Sequence, residues 1–252
     1  MRLRQQLLTE NQCCRAGRAM APRGVMVHST GANNPNVARY VPGNDEIGRN
    51  TGGNHWNRPG VLKCVHAFVG RFGDGEVGTV QTLPWNVQGW HCAGKANSTH
   101  IGFEICEDGL DNPAYFQAVY QEAAELTAML CREFGLDPQK DGVVICHQEG
   151  FRRGLASNHA DVLHWFPRHG RSMDDFRAEV ARIMGEEEEA MSYEQWKTYM
   201  DRYRRELAGQ TALMPELLGE AKALGLTDGT RPRDLVTREE AAVMARAAAK
   251  AK

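Results

Sequence analysis

Two histidines stand where short apolar runs end: His28 after Val25, Met26 and Val27, and His147 after Val143, Val144, Ile145 and Cys146. Such runs read as β-strands, and strand ends open into the loops where α/β proteins place reactive side chains. Asn158, His159 and Asp161 follow His147 within one loop. Two imidazoles and one carboxylate suffice to hold zinc tetrahedrally, with the fourth position left for water. Spacing alone leaves a second reading open, because a His at a strand end is commonly a hydrogen-bonded structural residue. The seven cysteines offer a rival donor set. They form no Cys-x-x-Cys pair, however, and Cys13 and Cys14 are too close for an easy mutual bridge. Cys64, Cys106, Cys131 and Cys146 lie in apolar runs and read as reduced, buried side chains.

The elements that must position these residues follow from periodicity. Apolar runs over 24–28, 62–69, 77–82, 101–106 and 143–146 read as strands. Between the last two lies a long helix, with Asp111 as the expected N-cap and Pro113 in the first turn. Phe116, Val119, Tyr120, Ala123, Leu126 and Leu130 recur along it at helical spacing, and Gly135 stops it. A further helix is expected over 172–184. Strands interleaved with helices imply an α/β domain built on a central sheet.

Composition narrows the function classes. The chain has 252 residues, 42% hydrophobic and 25% charged, near the globular norm. No run approaches the ~18–20 apolar residues of a membrane helix, which argues against a membrane partner. Thirty Lys and Arg against 32 Asp and Glu give a net charge of −2, without the basic excess that nucleic-acid binding calls for. Residues 1–12 lack the apolar core of a signal peptide, so synthesis in the cytoplasm is expected.

Four motifs in order carry a resemblance over about residues 4–184. They are Gly24-Val-Met-Val-His-Ser-Thr30, Trp90-His-Cys-Ala-Gly94, Thr99-His-Ile-Gly-Phe-Glu104, and Cys146-His-Gln-Glu-Gly150 followed by Ala156-Ser-Asn-His-Ala-Asp161. Together they resemble the zinc-dependent N-acetylmuramoyl-L-alanine amidases, the amidase-2 family related to peptidoglycan recognition proteins, and most of all its endolysin and prophage members. The resemblance implies an α/β fold with a central mixed β-sheet flanked by helices. It also implies hydrolysis of the amide between N-acetylmuramic acid and L-alanine in bacterial peptidoglycan, and one zinc ion held by His28, His147 and Asp161.

Glu104 matches the family's catalytic glutamate. Strand alternation points it away from Phe103 and Ile105, toward a cleft or solvent, and as a general base it would take a proton from water. Many family members carry Lys two residues before the third ligand, whereas this chain has His159. The resemblance implies that His159 steadies the oxyanion, with ligation in place of Asp161 as the lesser alternative. For substrate binding it points to His66, His91, Trp90, Asn33 and Asn54. His66 is equally readable as a core histidine, and the Asn-bearing loops as ordinary turn chemistry.

Residues 1–184 are thus expected to form the catalytic domain, 185–191 an acidic linker, and 192–252 a small all-α appendage. Helices are expected over 192–207, 215–224 and 237–250, with Thr237 and Glu240 at capping-box spacing. The run from Leu224 to Met244 resembles a degenerate S-layer-homology repeat, which implies wall anchoring. Packing on the core, or homo-oligomerisation through the helices, is the alternative. The full reading is a lytic amidase that reaches the wall after holin-type release. Its alternatives are a cytosolic amidase recycling wall fragments and a non-catalytic peptidoglycan receptor on the same fold. Such receptors typically lose a zinc ligand, whereas all three candidates and Glu104 are present here.

Overall fold

The computed structural model describes residues 1–188, 193–230 and 238–250. The chain divides into two compact units, Met1–Glu186 and Glu187–Lys252. The first unit holds eight strands among its described residues: β1 (Leu3–Gln5), β2 (Gly24–Asn33), β3 (Gly43–Asn44), β4 (Gly48–Arg49), β5 (Ala67–Arg71), β6 (Val77–Gln81), β7 (His100–Glu107) and β8 (Val144–Cys146). β3 and β4 form a small hairpin, and the other six form one sheet in the order β1-β6-β5-β7-β2-β8. Within that sheet only β5 and β6 pair antiparallel, so the sheet is mixed, as expected.

Alternation along the central strands divides the sheet chemically. Val25 pairs with Ile101, Val27 with Phe103 and Ala67 with Phe103. These side chains share one face and pack under α2 (Pro113–Glu133) and α4 (Met173–Glu188). α2 contributes Phe116, Val119, Tyr120, Ala123, Leu126 and Leu130, all buried. Each large apolar side chain taken from water here contributes ~1.5–3 kcal/mol. Asn112, not Asp111, caps α2: its side chain accepts a hydrogen bond from the Tyr115 backbone N–H at 3.1 Å. Pro113 then occupies the first helical position, where its missing N–H leaves no bond unmade. Asp111 accepts from Arg168 at 3.0 Å instead.

Between these residues, Met26, His28, Gly102, Glu104 and Phe68 point to the opposite face. Loops and two short helices cover it. Tyr40 stacks on Phe68 with centroids 4.7 Å apart, and Trp56 meets Phe68 edge-on at 5.0 Å. The buried Asn11 side chain donates to the Trp56 and Lys63 carbonyls, tying the long β2–β5 connection to the start of α1 (Gln12–Ala16).

Several elements depart from the sequence reading. β1 is unannounced because Leu3–Gln5 is short, polar and set on a sheet edge. The run over 62–69 enters the sheet only at Ala67, while Cys64 makes an isolated bridge with Trp90. His147 opens a short helix, α3 (His147–Arg152). α4 continues to Glu188, through most of the acidic block expected to be linker, and residues 189–192 lie outside the described residues. All seven cysteines are free thiols.

The second unit contains α5 (Tyr193–Ala208), α6 (Pro215–Ala223) and α7 (Arg238–Lys250). α5 exposes Trp196, Tyr199 and Tyr203 along one side. Gly225, at φ 70°, closes α6 by donating to the Lys222 carbonyl. Thr237 of the expected capping box, and residues 231–237 of the S-layer-like run, fall outside the described residues. No helix among the described residues is long and apolar enough to cross a membrane.

Candidate active site

His28 lies within β2, which runs on to Asn33 rather than ending at His28 as expected, and His147 opens α3 immediately after β8. The two strands are parallel neighbours, and Val27 pairs with Cys146, so the two histidines leave the last paired position together. Asp161 begins the 3-10 turn Asp161–His164 with φ 45°, a left-handed conformation that Asp tolerates better than most side chains. That backbone turn aims its carboxylate at both imidazoles. Asp161 Oδ2 is 2.8 Å from His28 Nδ1 and 2.9 Å from His147 Nδ1, and the two Nδ1 atoms are 3.1 Å apart. One donor atom from each residue thus lies within 4.8 Å of the others.

Electrostatics favour the charge states that a cation needs. Burial drives the His28 pKa down, overcoming the opposing pull of Asp161. Burial would raise the Asp161 carboxyl, but the His147 and His28 rings beside it outweigh burial and hold the group well below the usual carboxylate range. A neutral imidazole beside an ionised carboxylate is what metal ligation requires. The donor set suits zinc: nitrogen and oxygen ligands, three from protein, in a cleft rather than an enclosed core.

Glu104 pairs in register with His28 across β7 and β2, so the two side chains leave the sheet on the same face. Its Oε2 is buried without a hydrogen-bond partner. Burial, then the nearby charge of Asp161, pushes its carboxyl well above the ordinary value, with Lys63 opposing. A buried carboxyl with an unpartnered oxygen beside a cluster of metal-type donors is a candidate for chemistry.

These residues line a cleft of about 820 Å³ whose wall also includes Tyr40, Lys63, Trp90 and His91. His159 lies at its exposed edge, stacked on His147 with centroids 4.7 Å apart. Of the five residues expected to bind substrate, Trp90 and His91 line the cleft, whereas His66, Asn33 and Asn54 do not. His66 is a core histidine. It is fully buried, donates from Nε2 to the Val87 carbonyl at 2.8 Å, and accepts at Nδ1 from the Gly102 N–H at 3.0 Å. With both ring nitrogens used inside the protein, none remains for a ligand. Asn33 is exposed near Gly109, and the Asn54 side chain accepts from Asn50. His91, by contrast, reaches the site itself: its Nδ1 is 2.9 Å from His28 Nε2.

Tyr40, Lys63 and Ser157 are site residues that the sequence reading did not single out. Tyr40 and Lys63 arrive on the irregular β2–β5 connection, which carries no periodic signal. Ser157 lay in plain view within the Ala-Ser-Asn-His motif, two residues before His159.

Three convergent donors beside an orphaned carboxyl, on neighbouring parallel strands and open to a cleft, define a hydrolase-type site with a candidate metal centre. The chain belongs to the N-acetylmuramoyl-L-alanine amidase family, whose profile matches residues 18–164. It is accordingly an amidase acting on bacterial peptidoglycan. Solved structures agree in fold. The Staphylococcus aureus hydrolase AmiA, crystallised with its ligand, is 19% identical with a TM-score of 0.56, and the match covers 76% of this chain and 86% of that one. The catalytic domain of XlyA is 22% identical (TM-score 0.50; 71% and 99% covered), and PlyL is 21% identical (TM-score 0.50; 71% and 97% covered). No curated protein sequence matches the chain.

Proposed function

We propose that the enzyme holds one zinc ion on His28, His147 and Asp161, and cleaves the amide between the lactyl group of N-acetylmuramic acid and L-alanine. The observation that carries this reading is the convergence of those donors beside Glu104, one strand away and in register. When bound, zinc supplies Lewis acidity that polarises the scissile carbonyl and acidifies water.

The chain's own groups do the rest. Glu104 takes the proton of the attacking water and returns it to the departing alanine nitrogen. Its burial raises the carboxyl above the ordinary value, the direction that suits a general base. His159, exposed at the cleft edge and steadied against His147, donates a hydrogen bond to the developing oxyanion. Trp90 and the mouth of the cleft position the extended stem peptide.

Lysis of the wall from outside the cytoplasm is the biological role we assign. Residues 1–184 act as the catalytic domain and residues 192–252 as a wall-contacting appendage, with Trp196, Tyr199 and Tyr203 offering flat faces to sugar rings. The test is metal analysis combined with digestion of purified walls. One zinc per chain and new alanine amino groups without new reducing ends are expected; new reducing ends would identify a glycosidase and overturn the reading. Deleting residues 186–252 should weaken wall binding while soluble fragments are still cleaved.

A further inference from the structure

The two candidate ligand histidines each have a second ring nitrogen, and both find partners in or against the loop over 90–100. His28 Nε2 lies 2.9 Å from His91 Nδ1, and His91 Nε2 lies 3.2 Å from the His100 carbonyl. His147 Nε2 lies 3.2 Å from Ser157 Oγ, which lies 3.2 Å from the Cys92 carbonyl. Each chain of contacts ends on a backbone carbonyl, and a carbonyl can only accept.

That fixes where the protons sit. His91 must carry its proton on Nε2 to meet the His100 carbonyl, so in the neutral ring Nδ1 is bare and accepts. The ring's two polar contacts are an imidazole and a backbone carbonyl, neither of them anionic, so nothing there holds a second proton on it. His28 must therefore carry its proton on Nε2, which leaves its Nδ1 lone pair directed at His147 Nδ1 and Asp161 Oδ2. By the same reasoning the Ser157 hydroxyl spends its one proton on Cys92 and accepts from His147 Nε2. His159 Nδ1 also approaches Ser157 Oγ, at 3.3 Å, and fits as a second donor to that oxygen.

We propose that His91 and Ser157 are positioning residues that lock both ligand histidines in the Nε2–H tautomer, so that two bare Nδ1 atoms face one cation. The inference rests on the zinc reading of the site. The lock resolves a competition. Without His91, the Asp161 carboxylate would draw the His28 proton onto Nδ1, and a metal would have to displace it. The fold leaves a close-fitting seat for this ring: a Cβ on Gly102 would fall 2.5 Å from His91 Cγ, and one on Gly89 would fall 2.8 Å from its Cδ2. Asn97 holds the loop in place by accepting from the backbone N–H groups of His91 and Cys92 at 2.8 and 3.0 Å.

The test is zinc affinity, measured by competition with a chromophoric chelator on the full chain. His91→Phe keeps the ring but loses both polar contacts, and its affinity should fall ~10–100-fold, the usual cost of removing such an outer partner. His91→Gln can accept from His28 through Oε1 and donate to His100 through its amide, so it should restore affinity to within a few-fold of wild type. Ser157→Ala, at a half-buried position that tolerates truncation, should show a smaller loss in the same direction. In the zinc-loaded protein, 15N spectra should show a protected His28 Nε2–H proton that His91→Phe loses and His91→Gln keeps. His91→Phe binding zinc as wild type does, or His91→Gln as weak as His91→Phe, would overturn the lock alone. Should His91→Phe fail to fold, Ser157→Ala and the wild-type His28 signal decide the matter: full affinity in the first, or an Nδ1–H in the second, overturns it. Wild type binding no zinc, or His28→Ala binding it undiminished, would overturn the metal reading as well.

Discussion

Beneath α2 and α4, the central strands present Val25, Val27, Phe103 and Ile105, all enclosed and all apolar. One residue along the same strands, on the other face, stand His28 and Glu104, whose polar atoms are aimed at each other's neighbourhood and at a cleft. Apolar contact closes the helical side of these strands. The cleft side leaves Glu104 Oε2 buried without a hydrogen-bond partner. The comparison teaches that a two-residue repeat lets one strand hold the fold together and carry a costly unsatisfied group, each on its own side.

The sharpest way to separate the faces is Glu104→Gln. It should keep zinc and fold yet lose ~10²–10⁴-fold in kcat on wall fragments, the usual worth of a positioned general base. A rate near wild type would remove Glu104 from the mechanism. The same variant carries a stability signature in the metal-free protein. The Glu104 carboxyl is raised in the folded state, so below its unfolded value of about 4.5 both states are protonated and nothing is lost. As pH climbs from there toward the elevated folded value, the unfolded chain releases a proton that the folded one keeps, and wild-type stability falls. The glutamine side chain has no proton to release and escapes that loss. Melting curves should therefore show Glu104→Gln gaining on wild type as pH rises above 4.5.

Phe116→Ala attacks the helical face. Phe116 packs against Trp165, Phe166 and the His169 ring, so truncation should cost about 3–5 kcal/mol in denaturant unfolding. Zinc affinity of the folded fraction should be unchanged; a parallel drop would mean that the faces are coupled. The smallest expected effect belongs to His66, whose pKa burial lowers to about 4. As pH falls from 6.5, the unfolded chain gains a proton that the folded one refuses until about 4. Stability is therefore lost across that window, by roughly 2–4 kcal/mol. His66→Gln can keep both hydrogen bonds while removing the proton, and should flatten the pH dependence by one proton's worth. An unchanged slope would show that His66 is protonated in the native core.

The helical face was the more legible in sequence. α2 announces itself because Phe116 through Leu130 repeat at helical spacing, and the miss at its cap was one residue, Asp111 for Asn112. The cleft face was legible only through motifs. His28 and Asp161 are 133 residues apart, and no local pattern encodes their meeting. Histidines exposed the limit most clearly. His66 and His91 both sit beside apolar residues, yet two backbone partners claim the first while the His28 ring claims the second. Which nitrogen finds a carbonyl is decided by tertiary contacts across the sheet, and so are the placements of Tyr40 and Lys63 on their irregular connection.

The left-handed backbone of Asp161 also bears on redesign. Aspartate and asparagine are the side chains least penalised there after glycine, so β-branched or bulkier replacements start from a conformational penalty before any coordination chemistry is weighed. Asparagine would fit the backbone but forfeit the negative charge, and glycine would forfeit the donor. Under the proposed zinc reading, exchanging Asp161 for another donor is therefore a problem in loop geometry first.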